Sequence, residues 1–208
     1  QVNTKVGMTF AAGLRAILPP QVALHYSIKA NPMPALVQHM AGLVDGLDVA
    51  SGGELKTALD TGKDPAHISF AGPAKTPAEL RQAIASGVCL NIESEHELAN
   101  AARIGAELGI TPRVALRINP AFELKSSGMK MGGGAKPFGI DEELAPALLK
   151  QVASLGLDFQ GFHIFSGSQS LRLDAIVEAQ SRSIELAMRL AEGSPLAVRQ
   201  LNIGGGLG

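Results

Sequence analysis

Short apolar runs recur along this 208-residue chain, with helix-like patterns between them. The runs lie at 22–28, 46–50, 67–71, 88–92, 113–119, 159–165 and 200–203. They are near-continuous in apolar residues, as strands buried on both faces should be. Helix-start signals follow several of them. Ser51-Gly-Gly-Glu54, Thr76-Pro-Ala-Glu79 and Ser94-Glu-His-Glu97 each read as a capping box, the second with proline at the first helical position. Gly62, Gly87, Gly109, Gly156 and Gly193 fall where those helices should stop. Strand–helix alternation of this kind makes a parallel sheet.

The first four runs begin at 22, 46, 67 and 88, a spacing suited to compact repeating units. A (β/α)₈ barrel accounts for that regularity better than an open doubly wound sheet, although periodicity alone does not close a barrel. The count of seven strands is one short of eight, and Gly208 directly follows a strand and a glycine run. Residues 1–208 are therefore expected to be one α/β domain, a TIM-type barrel incomplete at its C-terminal end. The connection between Asn119 and Asp141 is long, and it leaves the C-terminal end of a strand, where barrel active sites lie. It is expected to be an active-site loop.

Composition removes several classes. Net charge is −1 and no Lys/Arg cluster occurs, so nucleic acid is not an expected partner. No apolar stretch is long enough to span a bilayer, and Gln1-Val-Asn-Thr-Lys5 has no signal-peptide run behind it. A cytoplasmic location is expected. The single Cys89 excludes an internal disulfide, and its apolar surroundings suit a buried structural thiol. The five histidines (His25, His39, His67, His96, His163) show no paired ligand spacing, so no metal site is expected. The sequence has no GxSxG nucleophile motif.

A few charged residues sit where apolar ones are the rule. Lys29 ends the first run, and a desolvated lysine amine can attack a carbonyl to form a Schiff base. From position alone, a lysine emerging into solvent at a strand end is the better reading. Asp48 ends the second run, where it can pair with Lys29, face solvent or cap a helix. Arg117 lies within the fifth; pointing inward it needs an anionic partner, and pointing outward it covers the sheet edge. His163 and Ser168 belong to Gly161-Phe-His-Ile-Phe-Ser-Gly-Ser-Gln169, where a strand enters a Ser/Gly turn able to present donors to a phosphate. His163 reads equally as a satisfied core histidine. Gly204-Gly-Gly-Leu-Gly208 is a second turn of that kind, and barrel phosphate sites follow the last strands.

Taken in order, these motifs resemble the ornithine/diaminopimelate/arginine decarboxylases, pyridoxal-phosphate enzymes with an alanine-racemase-like (fold type III) barrel. Tyr26-Ser-Ile-Lys-Ala-Asn-Pro32 resembles their cofactor-lysine segment, and Leu47-Asp-Val-Ala-Ser-Gly-Gly-Glu-Leu55 their second signature. Phe70-Ala-Gly-Pro-Ala-Lys75, Ala115-Leu-Arg-Ile-Asn119, Lys136-Pro-Phe-Gly-Ile140, the 161–169 segment and Asn202-Ile-Gly-Gly-Gly206 follow in the family's order. The segments at 33–37, 127–134 and 163–169 look closest to the branch associated with exosortase A and exopolysaccharide gene clusters.

The resemblance implies pyridoxal 5′-phosphate as cofactor, bound through a Schiff base to Lys29. Asp48 would sit beside that lysine and Arg117 near the cofactor ring. Ser168, Gly205 and Gly206 would bind the phosphate. His163 matches the first histidine of the family's His-x-His-x-Gly-Ser. The second, which stacks on the ring, is replaced by Phe165, which can stack but cannot move a proton. The family's Glu-Pro-Gly segment and C-terminal β-domain are not in this chain, so the chain alone is expected to be inactive. The resemblance further implies decarboxylation of an amino acid or amino-acyl conjugate by a homodimer with the active site at its interface. A racemase or a non-catalytic cofactor-binding protein on the same barrel are the alternatives.

Overall fold

The computed structural model describes residues 4–122, 138–166 and 172–205. Among the described residues, eight strands are interspersed with helices: β1 (His25–Ser27), β2 (Gly46–Val49), β3 (Ile68–Phe70), β4 (Cys89–Ile92), β5 (Arg113–Asn119), β6 (Ile140–Asp141), β7 (Asp158–Ile164) and β8 (Gln200–Asn202). The helices are α1 (Thr4–Ile17), α2 (Pro34–Ala41), α3 (Gly52–Asp60), α4 (Pro77–Ser86), α5 (Glu95–Leu108), α6 (Ala145–Ser154) and α7 (Leu173–Glu192). The sheet order is β1-β2-β3-β4-β5-β7-β8, with the two-residue β6 on the end of β5, and every pairing is parallel. Sequential order in a parallel sheet is the winding of a barrel, and here it is an incomplete one.

The sheet curls. Cys89 on β4 and Gln200 on β8 are separated by β5 and β7, three strand spacings, or about 14 Å if the sheet were flat. Yet Gln200 Nε2 donates to Cys89 Sγ at 3.8 Å. The two side chains meet only across a concave inner face. Cys89 is buried as expected, and burial pushes its thiol up to about 12.

Register sorts the two faces. Ser27 pairs with Asp48, Asp48 with Ser69, Ser69 with Cys89, Asn91 with Ala115, Arg117 with His163, and Gly161 with Gln200. All of these share the face that holds Cys89 and Gln200. Leu47, Val49, Ile68, Phe70, Leu90, Ile92, Val114, Leu116, Ile118, Phe162 and Ile164 alternate with them onto the other face, buried in the core. Burial on both faces, expected from the apolar runs, is borne out, with every position of β3 and β4 buried; what alternates is the chemistry of the two faces. One face carries the hydrophobic core against the helices, and the inner face is small and polar. Burying each large outer side chain contributes roughly 1.5–3 kcal/mol.

Other boundaries differ as well. The first strand ends at Ser27, and Ile28–Ala30 forms a 3₁₀ turn. Pro32 disfavours helical geometry at Asn31, which is extended at φ −159°, while its N–H closes the turn on the Ile28 carbonyl. Lys29 therefore rides on a turn just past the strand. Only Thr76/Glu79 makes a full capping box. Ser51 and Ser94 cap their helices, but Glu54 turns to the Ala50 N–H and Glu97 to the Glu93 N–H. The helix stops at Gly87 and Gly109 are left-handed caps, as expected. The register of β5 against β7 shifts between Val114 and Ala115, a bulge that ends at Gly161; a Cβ on Gly161 would stand 1.9 Å from the Gln200 carbonyl oxygen of β8, so glycine there also lets β8 pair closely.

Candidate active site

In a parallel sheet all strands end at one rim, so residues at or just past the strand ends converge there. Lys29 follows β1, Asp48 lies in β2, Glu93 follows β4, Arg117 lies near the end of β5, and Phe165 follows β7. Four of these are residues expected from the sequence. Lys29 is exposed, so the buried lysine considered above is not present in this structure. Ser168 and Gly206 lie outside the described residues, as does most of the long 119–141 connection.

Asp48 is part-buried and hydrogen-bonded across the sheet rather than capping a helix. Its Oδ1 accepts from the Ser69 hydroxyl at 2.6 Å and from His25 Nδ1 at 3.1 Å. An ionised carboxylate only accepts, so His25 carries its proton on Nδ1 in this pair. Burial works against the Asp48 charge. The hydrogen bonds from His25 and Ser69, with the positive charge His25 can carry, outweigh burial and hold the carboxyl below its ordinary range.

Arg117 finds the anionic partner its position requires. Its Nη1 donates to Glu93 Oε1 at 2.9 Å, and its guanidinium lies 5.3 Å from the centre of the Phe138 ring. Glu93 Oε1 also accepts from the Gly72 N–H, and Oε2 from the Gly139 N–H. One buried carboxylate therefore ties the turn after β3, strand β5 and the residues leading into β6. Glu97 braces it from behind: its Oε2 accepts the Glu93 N–H at 2.7 Å, and its Oε1 binds Lys75 Nζ at 2.6 Å. Lys75 is fully buried and also donates to the Gly72 and Asn91 carbonyls. Both buried pairs have the extra hydrogen bonds that make such burial tolerable.

His163 faces the interior, with its Nδ1 enclosed and no hydrogen-bond partner among the described residues. It is not a satisfied core histidine. Burial, then the charges of Arg117 and Lys29, push it down to about 4, against the opposing pull of Asp48 and Glu93. The imidazole is neutral at physiological pH. Lys29, Asp48, Glu93 and Arg117 are all close enough for their charges to act on this one ring. Beyond it, half-buried Phe165 lies over Gly204, whose φ is +73°. A Cβ on Gly204 would stand 2.2 Å from Phe165 Cδ2, so the glycine makes room for the ring. Gly205 follows, exposed, with open space where a Cβ would stand.

Sequence reasoning missed His25, Ser69, Glu93, Lys75 and Glu97. Glu93 carried a usable signal: like Lys29, it is a charge at the end of an apolar strand. His25 and Ser69 carried none, because partners on neighbouring strands are invisible until the register is known.

Comparison with known proteins bears on this arrangement. The family model described as pyridoxal-dependent decarboxylase, pyridoxal binding domain, matches residues 9–208. A decarboxylase of the L-glutamyl-BtrI acyl-carrier protein from Niallia circulans is 35% identical over 197 residues, 94% of this chain and 46% of that protein. Diaminopimelate decarboxylase from Pseudomonas aeruginosa is 37% identical over 190 residues, 88% of this chain and 45% of that protein. The structure of Helicobacter pylori diaminopimelate decarboxylase complexed with L-lysine superposes with a TM-score of 0.84 at 30% identity, covering 96% of this chain and 52% of that one. The chain spans about half the length of these relatives.

Proposed function

The chain belongs to the pyridoxal-dependent decarboxylase family, as its pyridoxal-binding domain, and on that premise we propose that the whole protein decarboxylates an amino acid or an amino-acyl conjugate. One observation carries the reading. Lys29 offers an exposed amine on the same rim as Asp48, Arg117 and His163, whose enclosed Nδ1 has no partner among the described residues. The residues present fit the cofactor. Among the described residues, an amine is free for its aldehyde, a half-buried aromatic ring is free to stack, and an enclosed imidazole nitrogen lacks a protein partner. Open backbone at Gly205 suits a phosphate.

In this reading Lys29 binds the cofactor covalently and Asp48 lies beside that bond. Arg117, held by Glu93, sets the charge near the ring. Phe165 packs on the ring, and neutral His163 supplies a hydrogen bond without adding charge. Ser168, Gly205 and Gly206 hold the phosphate. Bound pyridoxal phosphate supplies an electron sink for the carbanion left when CO₂ departs. Residues 1–208 form the barrel domain, and a C-terminal β-domain and a second subunit complete the site. No described helix is long and apolar enough to cross a membrane; a cytoplasmic homodimer is part of the proposal, as is membership of the exosortase-associated branch. The racemase alternative and the non-catalytic one have no support among the relatives named above, all of which are decarboxylases.

The test uses the full-length protein. Reconstitution with pyridoxal phosphate should give a visible absorbance band that Lys29→Ala abolishes, and CO₂ release from a panel of amino acids and amino-acyl carrier conjugates should require Lys29. A band that survives Lys29→Ala, or α-proton exchange without CO₂ release, overturns the proposal.

A further inference from the structure

Asp48 is held in an uneven way. Both of its protein hydrogen bonds, from His25 Nδ1 and from Ser69 Oγ, fall on Oδ1. Oδ2 has no partner among the described residues, and it is not enclosed. A carboxylate pinned through one oxygen keeps the other at a defined orientation. The register says where. Ser27 lies opposite Asp48 on the inner face, and Lys29 follows two residues later in the 3₁₀ turn just past the strand, at the same rim.

The position of His25 is built rather than incidental. Gly46 faces it in the register, and any Cβ at Gly46 would stand 2.4 Å from His25 Cε1 and 2.5 Å from the His67 carbonyl oxygen. Glycine at 46 lets the imidazole lie across the strand and reach Asp48. The groups facing this pair are few. Asp45 and Asp48 feel the charge of His25. Ser69 comes from β3, Cys89 feels Asp48 from β4, and His163 feels it from β7.

We propose that His25 is a positioning residue, acting through Asp48: with Ser69 it fixes the carboxylate by one oxygen and presents the other to the nitrogen of Lys29. This rests on the proposed role of Lys29 as the cofactor lysine. A fixed, ionised carboxylate there favours the protonated state of that nitrogen over the neutral one. Loosening it should therefore lower the pH at which the nitrogen releases its proton.

The experiment is a pH titration of the visible band of bound cofactor in the full-length protein, with kcat and KM measured alongside. His25→Leu should move the titration midpoint down by about one pH unit and lower kcat about tenfold with little change in KM. His25→Gln, which restores an N–H donor, should return the midpoint close to that of the unaltered protein. Ser69→Ala should shift it in the same direction by less. In an Asp48→Asn background, His25→Leu should add no further shift. An unchanged midpoint in a folded, cofactor-loaded His25→Leu protein overturns the proposal, and so does a further shift in the Asp48→Asn background. Where His25→Leu does not fold, Ser69→Ala carries the test, and an unchanged midpoint in that variant overturns the proposal. Failure of the underlying reading looks different: the band then persists in Lys29→Ala.

Discussion

Glu93 and Arg117 stand opposite each other at the ends of neighbouring strands, joined at 2.9 Å between Oε1 and Nη1. The glutamate side chain is 2% exposed and the arginine 13%. At such burial neither charge is tolerable alone. The pair also gathers the Gly72 and Gly139 N–H groups, so it joins three segments at the rim.

Glu93→Ala should destabilise the protein by about 3–5 kcal/mol, because it strands a buried guanidinium and two backbone donors. Glu93→Gln keeps acceptor capacity but loses the charge, and should cost less than half as much. Urea unfolding of the two variants, side by side, reads the difference. Equal losses would mean that charge pairing contributes nothing here.

The titration of His163 gives stability a pH slope. Its folded value is down at about 4, against an ordinary 6.5. Between those values the unfolded chain binds a proton that the folded chain refuses. Stability should therefore be full above pH 6.5 and fall as pH drops toward 4, by about 3 kcal/mol in all. His163→Phe, measured without cofactor, should flatten that part of the profile. An unaltered slope in the variant would assign it to other groups.

Gly204→Ala introduces two faults. An alanine at φ +73° costs about 1 kcal/mol, and its methyl collides with the Phe165 ring. In a Phe165→Ala background only the backbone cost remains. A double-mutant cycle on unfolding free energy should thus give a coupling of at least 1 kcal/mol. Additive losses would show that the ring moves aside freely.

Glu79 serves two helix starts. Its Oε1 accepts the Gly52 N–H at the head of α3, and its Oε2 accepts the Thr76 N–H and hydroxyl at the head of α4. Those backbone hydrogen bonds hold its carboxyl below its ordinary range. Its contribution is present above the ordinary carboxylate value and is lost as pH falls through the lowered one. Glu79→Ala should cost about 1–2 kcal/mol near neutral pH, more than Thr76→Ala at about 1 kcal/mol. Thermal melts of both variants test the ranking.

The alternation of β and α, the caps at Ser51, Thr76 and Ser94, and the stops at Gly87 and Gly109 were legible in the amino-acid sequence. Each rests on interactions within a few residues, and local chemistry is what a sequence displays. The motif order carried the family, and with it Lys29, Asp48 and Arg117 as candidates. The sequence did not show which face each strand turns inward. That depends on register, and register is set when strands pair and the helices bury one side. Only then does Asp48 meet His25 and Ser69 across two strand boundaries, and Arg117 meet Glu93. The enclosed Nδ1 of His163, without a partner among the described residues, is likewise a tertiary fact, because burial and partnering are properties of surroundings assembled from distant segments. The sequence by itself determined the elements, their order and the chemical types at the rim. The tertiary structure decided which charges are paired, which are buried and which atoms remain free, because those depend on distances that only the curled sheet creates.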